Sequence, residues 1–240
     1  MNYGTVIPAE FISRPNRFIA NVMIDGKPEI VHVKNTGRCK ELLIPGAEVY
    51  LEKTAQPDRK TAYDLIAVRK NNGLLINIDS QAPNKVVREW LDSCDYDTVQ
   101  PEFTYGNSRI DFYMEKGKQC CLMEVKGCTL EREGIGFFPD APTGRGVKHL
   151  RELRKAVLEG YHASIAFVIQ MDGVSEVRPN KETDPEFAGA LREAEEAGVK
   201  VLFLCSHVEP DSLVVVQALG KDNFQYHRHE CSAAETGNIG

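Results

Sequence analysis

Two carboxylates and a lysine lie in the middle of the chain in an order that suits metal-dependent chemistry. Asp111 lies in one apolar segment, and Glu124-Val125-Lys126 ends the next one. Carboxylate oxygens are the ligands that Mg²⁺ and Mn²⁺ prefer. A lysine beside such a cation can position a water molecule and offset negative charge on a phosphate. The set therefore predicts a site for phosphodiester hydrolysis, with Asp111, Glu124 and Lys126 catalytic and the two carboxylates binding Mg²⁺ or Mn²⁺.

Two adjacent strands must position these residues. Residues 108–114 and 119–125 have strand character and are joined by a turn signal, which predicts a hairpin. Side chains two residues apart share one face of a strand, so Glu124 and Lys126 point the same way. A lone Glu-x-Lys is more often a solvated ion pair, and Asp111 could pair with Arg109 instead. The order of helix, three strands and helix around the set favours the catalytic interpretation.

Other polar residues are candidates for the same site. Glu89, on a predicted helix before the strands, is a further candidate metal ligand, with the solvent face of that helix as the alternative. His149, on the helix after them, either faces the site or lies on the helix surface. Residues 138–146 combine prolines and glycines with Asp140 and Arg145, which indicates a shaped loop that presents Arg145 and a helix N-terminus to a phosphate. A rigid connection is the alternative, and Lys148 would hold phosphate together with Arg145.

The first third of the chain predicts strands and tight turns without a helix. Asp25-Gly26 and Asn72-Gly73 are hairpin signals, and Pro45-Gly46 marks another turn. About five short strands in this length are typical of a small closed barrel. The OB-fold is the commonest barrel of this size that binds nucleic acid. Five basic residues in this part are candidates for nucleic-acid binding: Arg14, Arg17, Lys34, Arg38 and Lys40.

Aromatic residues near these charges allow two interpretations. Phe18 and Tyr50 could stack on bases, as rings do where single strands bind to OB-folds. Aromatic rings in a barrel are more often core, and charges on its surface are more often only solvated. The burial of each ring decides between these two interpretations.

Beyond Pro83 the pattern changes to helices and strands in alternation. Helices are predicted over 84–91, 147–159 and 185–197, and strands over 103–105, 108–114, 119–125, 164–170 and 199–205. The expected fold class is therefore an α/β protein with an N-terminal all-β part. The predicted domains are a barrel over 1–81 and a mixed-sheet α/β domain over 82–240, with a polar tail from about residue 221. His227, His229 and Cys231 resemble metal ligands, but they lie in that tail and are discounted.

Composition and charge restrict the possible partners. The chain has 240 residues and a formal net charge of −6, and no apolar run is long enough to span a bilayer. Residues 1–81 carry 11 Lys and Arg against 9 Asp and Glu, and the remainder carries 18 against 26. The N-terminal part is therefore more compatible with nucleic acid. Seven cysteines without zinc-type spacing and the lack of a signal-peptide pattern predict a cytoplasmic protein that does not bind a membrane.

Several longer motifs resemble one known family, the sugar fermentation stimulation protein A family. They are Asn35-Thr36-Gly37-Arg38, Lys40-Glu41-Leu42-Leu43-Ile44-Pro45-Gly46, Tyr105-Gly106-Asn107-Ser108-Arg109-Ile110-Asp111-Phe112, Glu124-Val125-Lys126 and Phe138-Pro139-Asp140-Ala141-Pro142-Thr143. The resemblance covers residues 11–216.

This resemblance implies an OB-like barrel followed by a restriction-endonuclease-like domain of the PD-(D/E)xK nuclease type. It also implies DNA binding with little sequence preference and a link to the regulation of sugar (maltose) metabolism. Asp111, Glu124 and Lys126 match the nuclease motif, with Ile110-Asp111 in place of its Pro-Asp pair.

The leading hypothesis is a DNA-binding protein with a Mg²⁺-dependent nuclease site. One alternative is an inert, non-specific DNA-binding regulator of sugar metabolism, and another is an RNA-processing nuclease. A homodimer is compatible with the sequence, although no feature requires one.

Overall fold

The first part of the chain folds into a closed five-stranded barrel, in a computed structural model that describes residues 1–35, 37–54 and 59–221 and the backbone of 225–226. Its strands are β1 (Val6–Asn16), β2 (Ile19–Ile24), β3 (Lys27–Val33), β4 (Glu48–Lys53) and β5 (Tyr63–Arg69). They are hydrogen-bonded in the order β3-β2-β1-β4-β5, and a parallel pairing of β3 with β5 closes the barrel. A short β6 (Leu75–Asn77) pairs antiparallel with β5. The predicted OB-like barrel is confirmed.

The hairpin signals act through backbone conformation. Asp25 and Gly26 both have positive φ, at 47° and 76°, and they connect β2 to β3. A two-residue turn of this kind matches the twist of the flanking strands. Gly73 has a φ of 88° between β5 and β6. The alternation of the strands then buries Val31, Val33 and their neighbours inside the barrel.

The second part is a mixed α/β domain built on a long sheet. The sheet contains β7 (Thr98–Tyr105), β8 (Ser108–Lys116), β9 (Gln119–Cys128), β12 (His162–Ile169), β14 (Lys200–Glu209), β15 (Ser212–Gly220) and β16 (Gln225–Tyr226). Their order is β16-β15-β14-β12-β9-β8-β7, with β9, β12 and β14 mutually parallel and the other pairs antiparallel. A small separate sheet contains β10 (Leu130–Arg132), β11 (Ile135–Phe138) and β13 (Val177–Pro179). The mixed sheet confirms the predicted fold class.

Three helices cover both faces of the long sheet. They are α1 (Ala82–Asp92), α2 (Gly144–Leu158) and α3 (Pro185–Glu196). Apolar residues of α2 and α3 pack into one core with Leu122 and Ile165, and those of α1 pack into a second core with Met123. Because successive strand residues face opposite sides, neighbouring residues of β9 belong to different cores.

Several boundaries differ from the sequence prediction. The helix α2 begins at Gly144 instead of residue 147, because the Thr143 hydroxyl accepts a hydrogen bond from the Gly146 N–H (3.1 Å) and starts the helix earlier. The helix α1 starts at Ala82, with Pro83 in its first turn. The strands β1, β10, β11, β13 and β15 were not predicted, and β7 is longer than expected. The tail from about residue 221, with His227, His229 and Cys231, lies almost entirely outside the described residues.

Buried polar side chains join the two parts. Gln170 follows β12, and its amide nitrogen donates to the carbonyl oxygens of Asn77 (3.0 Å) and Asp79 (3.1 Å). Lys34 forms an ion pair with Asp79 (3.0 Å), and Tyr3 donates to Asp79 (3.2 Å). Only the Gln170 contacts cross between the two parts, since Tyr3, Lys34 and Asp79 all belong to the first part. Unpaired buried polar groups are costly, so the Gln170 contacts resist separation of the two parts. The predicted boundary between residues 81 and 82 coincides with the start of α1 and remains a prediction.

The described part of the chain contains no helix that is long and apolar enough to cross a membrane. The six described cysteines are unbridged.

Candidate active site

Asp111 lies where the strands β8 and β9 separate. The ladder between β8 and β9 ends at the pair Phe112 and Met123. Beyond that point the Asp111 carboxylate replaces the ladder, because its Oδ2 accepts the Val125 N–H (2.8 Å) and its Oδ1 accepts the Asn84 amide of α1 (2.8 Å). Burial raises the pKa of Asp111, and the nearby Glu124 carboxylate raises it further. The group is therefore fixed in place, with its negative charge disfavoured.

Glu124 is almost fully buried, at 1% exposure, and its two oxygens have different surroundings. Its Oε1 contacts both Lys126 Nζ and His149 Nδ1. A carboxylate can only accept hydrogen bonds, so Nδ1 carries the proton. Its Oε2 is buried without a hydrogen-bond partner among the described residues. Burial alone would raise the pKa of Glu124, but the contacts from His149 and Lys126 outweigh it and lower the pKa.

One cleft brings the charged residues together. It has a volume of about 420 Å³, and its walls include Ser80, Asn84, Asp111, Lys126, Thr143 and Arg145. Arg145 is exposed and lies in the first turn of α2. The first N–H groups of a helix have no partner within it and carry the positive end of its dipole. The cleft can therefore accept an anion beside Lys126 and Arg145.

The carboxylate pair fits a hard divalent cation. The unpartnered, buried Oε2 of Glu124 and the raised pKa of Asp111 are both features that a bound cation would relieve. Among the described residues no group of three or more His, Cys, Asp or Glu could hold a metal ion. Mg²⁺ is commonly held by only one or two carboxylates, together with water and substrate phosphates. Two carboxylates such as Asp111 and Glu124 therefore match the number of protein ligands that Mg²⁺ commonly takes.

Two further acids have other contacts. Glu89, the candidate third ligand, is exposed and forms an ion pair with the Met1 ammonium group (2.7 Å) instead. Asp140 lies against the barrel loop, because a Cβ on Gly37 would be 2.6 Å from its Oδ2. Asp140 therefore helps to join the two parts and does not line the cleft. His149, by contrast, faces the site, which is one of the two alternatives that the sequence left open.

Two of the candidate nucleic-acid ligands act inside the protein. The Arg14 guanidinium donates to the carbonyl oxygens of Arg17, Asn35, Gly37 and Arg38 at 2.6–2.9 Å, so its terminal nitrogens hold the barrel loops together. Lys34 is largely buried between Asp79 and Glu52. Burial would lower the pKa of Lys34, but these carboxylates outweigh it and raise the pKa. Neither side chain is available to a phosphate.

The other barrel candidates form an exposed basic surface, defined as Arg17, Phe18, Arg38 and Lys40. Phe18 is 44% exposed, and the Arg17 guanidinium lies over its ring at 4.7 Å. Arg38 and Lys40 are also exposed. The Arg14 contacts place the backbones of Arg17 and Arg38 side by side. Stacking on Phe18 is therefore possible, whereas Tyr50 is buried and belongs to the core.

Lys148 is exposed like Arg38 and Lys40, but like Arg14 it is already engaged, because its Nζ donates to the carbonyl oxygen of Asn107 (2.6 Å).

Sequence reasoning missed Asn84, whose amide holds the Asp111 carboxylate. No local signal identifies it, since an exposed Asn in the first turn of a helix is common. Only the packing of α1 against β9 brings it to the site.

The fold and the site together define a two-part protein, an OB-like barrel followed by an α/β domain whose central strands carry two carboxylates and a lysine. Family models match both parts. The SfsA N-terminal OB domain matches residues 12–78, and the sugar fermentation stimulation protein RE domain matches residues 81–212. The chain therefore belongs to the sugar fermentation stimulation protein family, as the sequence motifs predicted.

Similar proteins cover nearly the whole chain. The sugar fermentation stimulation protein homolog of Desulfitobacterium hafniense (strain DSM 10664 / DCB-2) is 55% identical over 216 residues, which are 89% of this chain and 94% of that protein. The homolog of Clostridium beijerinckii is 51% identical over 217 residues, or 89% and 96% of the two chains. The structure of Pyrococcus furiosus SfsA in complex with Ca²⁺ matches with a TM-score of 0.79 and 31% identity, and covers 92% of this chain and 95% of that chain.

Proposed function

We propose that the protein is a Mg²⁺- or Mn²⁺-dependent nuclease that hydrolyses phosphodiester bonds in DNA. One observation carries this proposal. Asp111, Lys126 and Arg145 line a single cleft of about 420 Å³, and Lys126 contacts Glu124, whose other oxygen is buried without a partner among the described residues. This arrangement combines ligands for a hard cation with positive groups for a phosphate.

Each residue has a separate role in the proposed reaction. Asp111 and Glu124 would hold the cation, which when bound lowers the pKa of water and polarises a phosphoryl oxygen. Lys126 already contacts the Val125 carbonyl oxygen (3.3 Å) and Glu124, so its ammonium group is held where it can orient a water molecule. Arg145 would bind the non-bridging phosphate oxygens near the positive end of the α2 dipole.

The relative from Pyrococcus furiosus supports the part of this proposal that concerns the cation. Its structure was solved in complex with Ca²⁺. Ca²⁺ is a hard cation that takes oxygen ligands, as Mg²⁺ does.

A cleavage assay tests the proposal. The protein would be incubated with Mg²⁺ or Mn²⁺ and matched single-stranded DNA, duplex DNA, flap DNA and RNA. We expect at least one DNA to be cut, and about 100-fold slower cleavage by Glu124→Gln and Lys126→Ala, since the first loses a proposed ligand of the cation and the second loses the group that would orient the water. Lys118→Ala, an exposed turn variant, is the matched control. Cleavage by the unaltered protein that does not exceed cleavage by these two variants would contradict the proposal. Cleavage of RNA alone would favour an RNA-processing nuclease.

The exposed basic surface favours a second candidate function, DNA binding without cleavage by a regulator of sugar metabolism. Arg17, Arg38 and Lys40 provide positive charge, and Phe18 provides a ring on which a base can stack. This candidate predicts that Asp111→Ala keeps its DNA affinity in EDTA, whereas Arg38→Ala/Lys40→Ala loses affinity and binds with a smaller salt dependence. Fluorescence anisotropy with labelled DNA measures both. Metal-dependent cleavage by the unaltered protein would exclude an inert site.

A further inference from the structure

A second cavity meets the cleft at Asp111. It has a volume of about 540 Å³ and opens to solvent, as the cleft does. Both cavities are lined by Asn84 and Asp111, and the second one continues past Lys85, Arg88 and Glu102. The two cavities therefore adjoin at Asn84 and Asp111, whose side chains are hydrogen-bonded to each other (2.8 Å), and together they are called the groove.

Among the described residues that line the second cavity, Lys85 is the one cationic side chain without an ion pair. Glu89 is paired with the Met1 ammonium group, and Glu102 is paired with Arg109 (2.9 Å). Arg88 is held by Asp92 (2.9 Å). Lys85 is exposed and forms no ion pair within the part of the chain that the structure describes. Positive groups therefore lie on both sides of Asp111, with Lys126 and Arg145 on one side and Lys85 on the other.

We infer that a nucleic-acid strand runs through this groove, so that the protein cuts bonds inside a strand and does not require an end. This inference rests on the proposed function and specifies its substrate. With the reacting phosphate held beside Asp111 by Lys126 and Arg145, a neighbouring nucleotide of the strand would lie against Lys85. In the reaction a water oxygen bonds to phosphorus, the bond from phosphorus to one sugar oxygen breaks, and a proton from the water passes to that leaving oxygen.

Closed circles test this inference because they have no ends. Circular and linear forms of one single-stranded DNA, and of one duplex plasmid, would be incubated with the protein and Mn²⁺. We expect the circular form of a DNA that is cut to react within about threefold of the linear form. A linear form that is degraded while its circle stays intact overturns the inference and leaves the proposed nuclease function standing.

The case in which nothing is cut is also decisive. It refutes the proposed nuclease function, and the strand path is then tested by the affinity of Glu124→Gln for the same circular and linear DNAs. Equal affinity that Lys85→Ala also weakens supports a strand that passes through the groove. Selective affinity for the linear form overturns it.

Lys85 provides a second test that does not depend on cleavage. We expect Lys85→Ala to weaken DNA binding about threefold to tenfold and to reduce the slope of log affinity against log salt concentration by about one ion, since one phosphate contact is lost. Lys118→Ala, which removes an exposed lysine at the turn between β8 and β9, is the matched control. Equal affinities and equal slopes for the two variants would contradict a strand that passes Lys85.

Discussion

At the scale of single residues, the two carboxylate oxygens of Glu124 have different roles. Oε1 is held by His149 and Lys126, whereas Oε2 has no partner within the described residues. A ligand whose first oxygen is fixed by a neighbour presents its second oxygen in one orientation. Residues that fix a metal ligand in this way commonly affect metal affinity nearly as strongly as the ligand itself. His149 is therefore a positioning residue in the proposed site.

We expect His149→Ala to lower Mn²⁺ affinity about 10- to 100-fold, because Glu124 loses the group that orients it. Isothermal titration calorimetry measures the affinity directly. His149→Asn, which retains an N–H donor near the position of Nδ1, should restore part of it. His207→Ala removes an exposed histidine of β14 that pairs with Asp172 and is the control. Unchanged affinity in His149→Ala would show that Glu124 needs no such support.

A second prediction at this scale uses the raised pKa of Asp111. Burial and Glu124 raise it above the unfolded value, so ionisation of Asp111 destabilises the folded state. This destabilisation is absent below the unfolded pKa and complete above the folded pKa. Asp111→Asn removes it, and an amide flip of Asn84 preserves the hydrogen bond between the two side chains.

In the absence of metal we therefore expect Asp111→Asn to raise the melting temperature at neutral pH. The gain should shrink as the pH falls through the folded pKa of Asp111. Thermal unfolding in EDTA across that pH range measures it. A gain of constant size at every pH would contradict the assignment to a buried charge.

At the scale of elements, the sequence predicted what depends on short-range patterns. The hairpin at Asn72-Gly73 follows from turn chemistry, and the core of α2 follows from its apolar spacing. The strand β1 was missed because Pro8, Pro15 and its partly exposed residues interrupt the alternation that identifies a strand. The strands β10, β11 and β13 are short; β10 and β11 form a local hairpin, whereas the pairing of β11 with β13 joins residues distant in sequence. The contact of Asn84 with Asp111 was out of reach because it also joins residues distant in sequence, whereas for His149 the sequence left open whether it faces the site or the helix surface.

The N-termini of α2 and α3 are coupled by one buried carboxylate, which leads to a prediction at this scale. Asp184 Oδ1 accepts the Phe187 N–H (2.9 Å) at the start of α3, and Oδ2 accepts the Thr143 N–H (2.8 Å) at the start of α2. Asp184→Ala should therefore lower the free energy of unfolding by about 2–3 kcal/mol, since it removes a helix cap and leaves a second N–H unpaired. Urea denaturation measures this change.

The control for that prediction is Glu182→Ala, which truncates an exposed side chain two residues away. It should change the free energy of unfolding by less than about 0.5 kcal/mol. A loss in Asp184→Ala no larger than in Glu182→Ala would show that the cap does not stabilise the two helices.

For the whole molecule, the site depends on how closely the two parts are joined. Gly127 follows Lys126 directly, and a Cβ there would lie 2.3 Å from Gln170 Oε1 and 2.8 Å from a Pro83 carbon. Gln170 in turn donates to Asn77 and Asp79, where the chain leaves the barrel. A side chain at position 127 would therefore push apart the contacts that fix the barrel and α1 against β9.

We expect Gly127→Ala to lower the free energy of unfolding by about 1–3 kcal/mol, the usual cost of forcing an extra group into a packed interior. Gly189→Ala is the matched control, because nothing lies within 4 Å of a Cβ at that position in α3. It should stabilise the protein by about 0.5–1 kcal/mol, since alanine suits a helix interior better than glycine does. Urea denaturation followed by circular dichroism compares both variants with the unaltered chain. Opposite shifts would locate the tight junction at Gly127, and a Gly127→Ala variant as stable as Gly189→Ala would show that the two parts are not held together there.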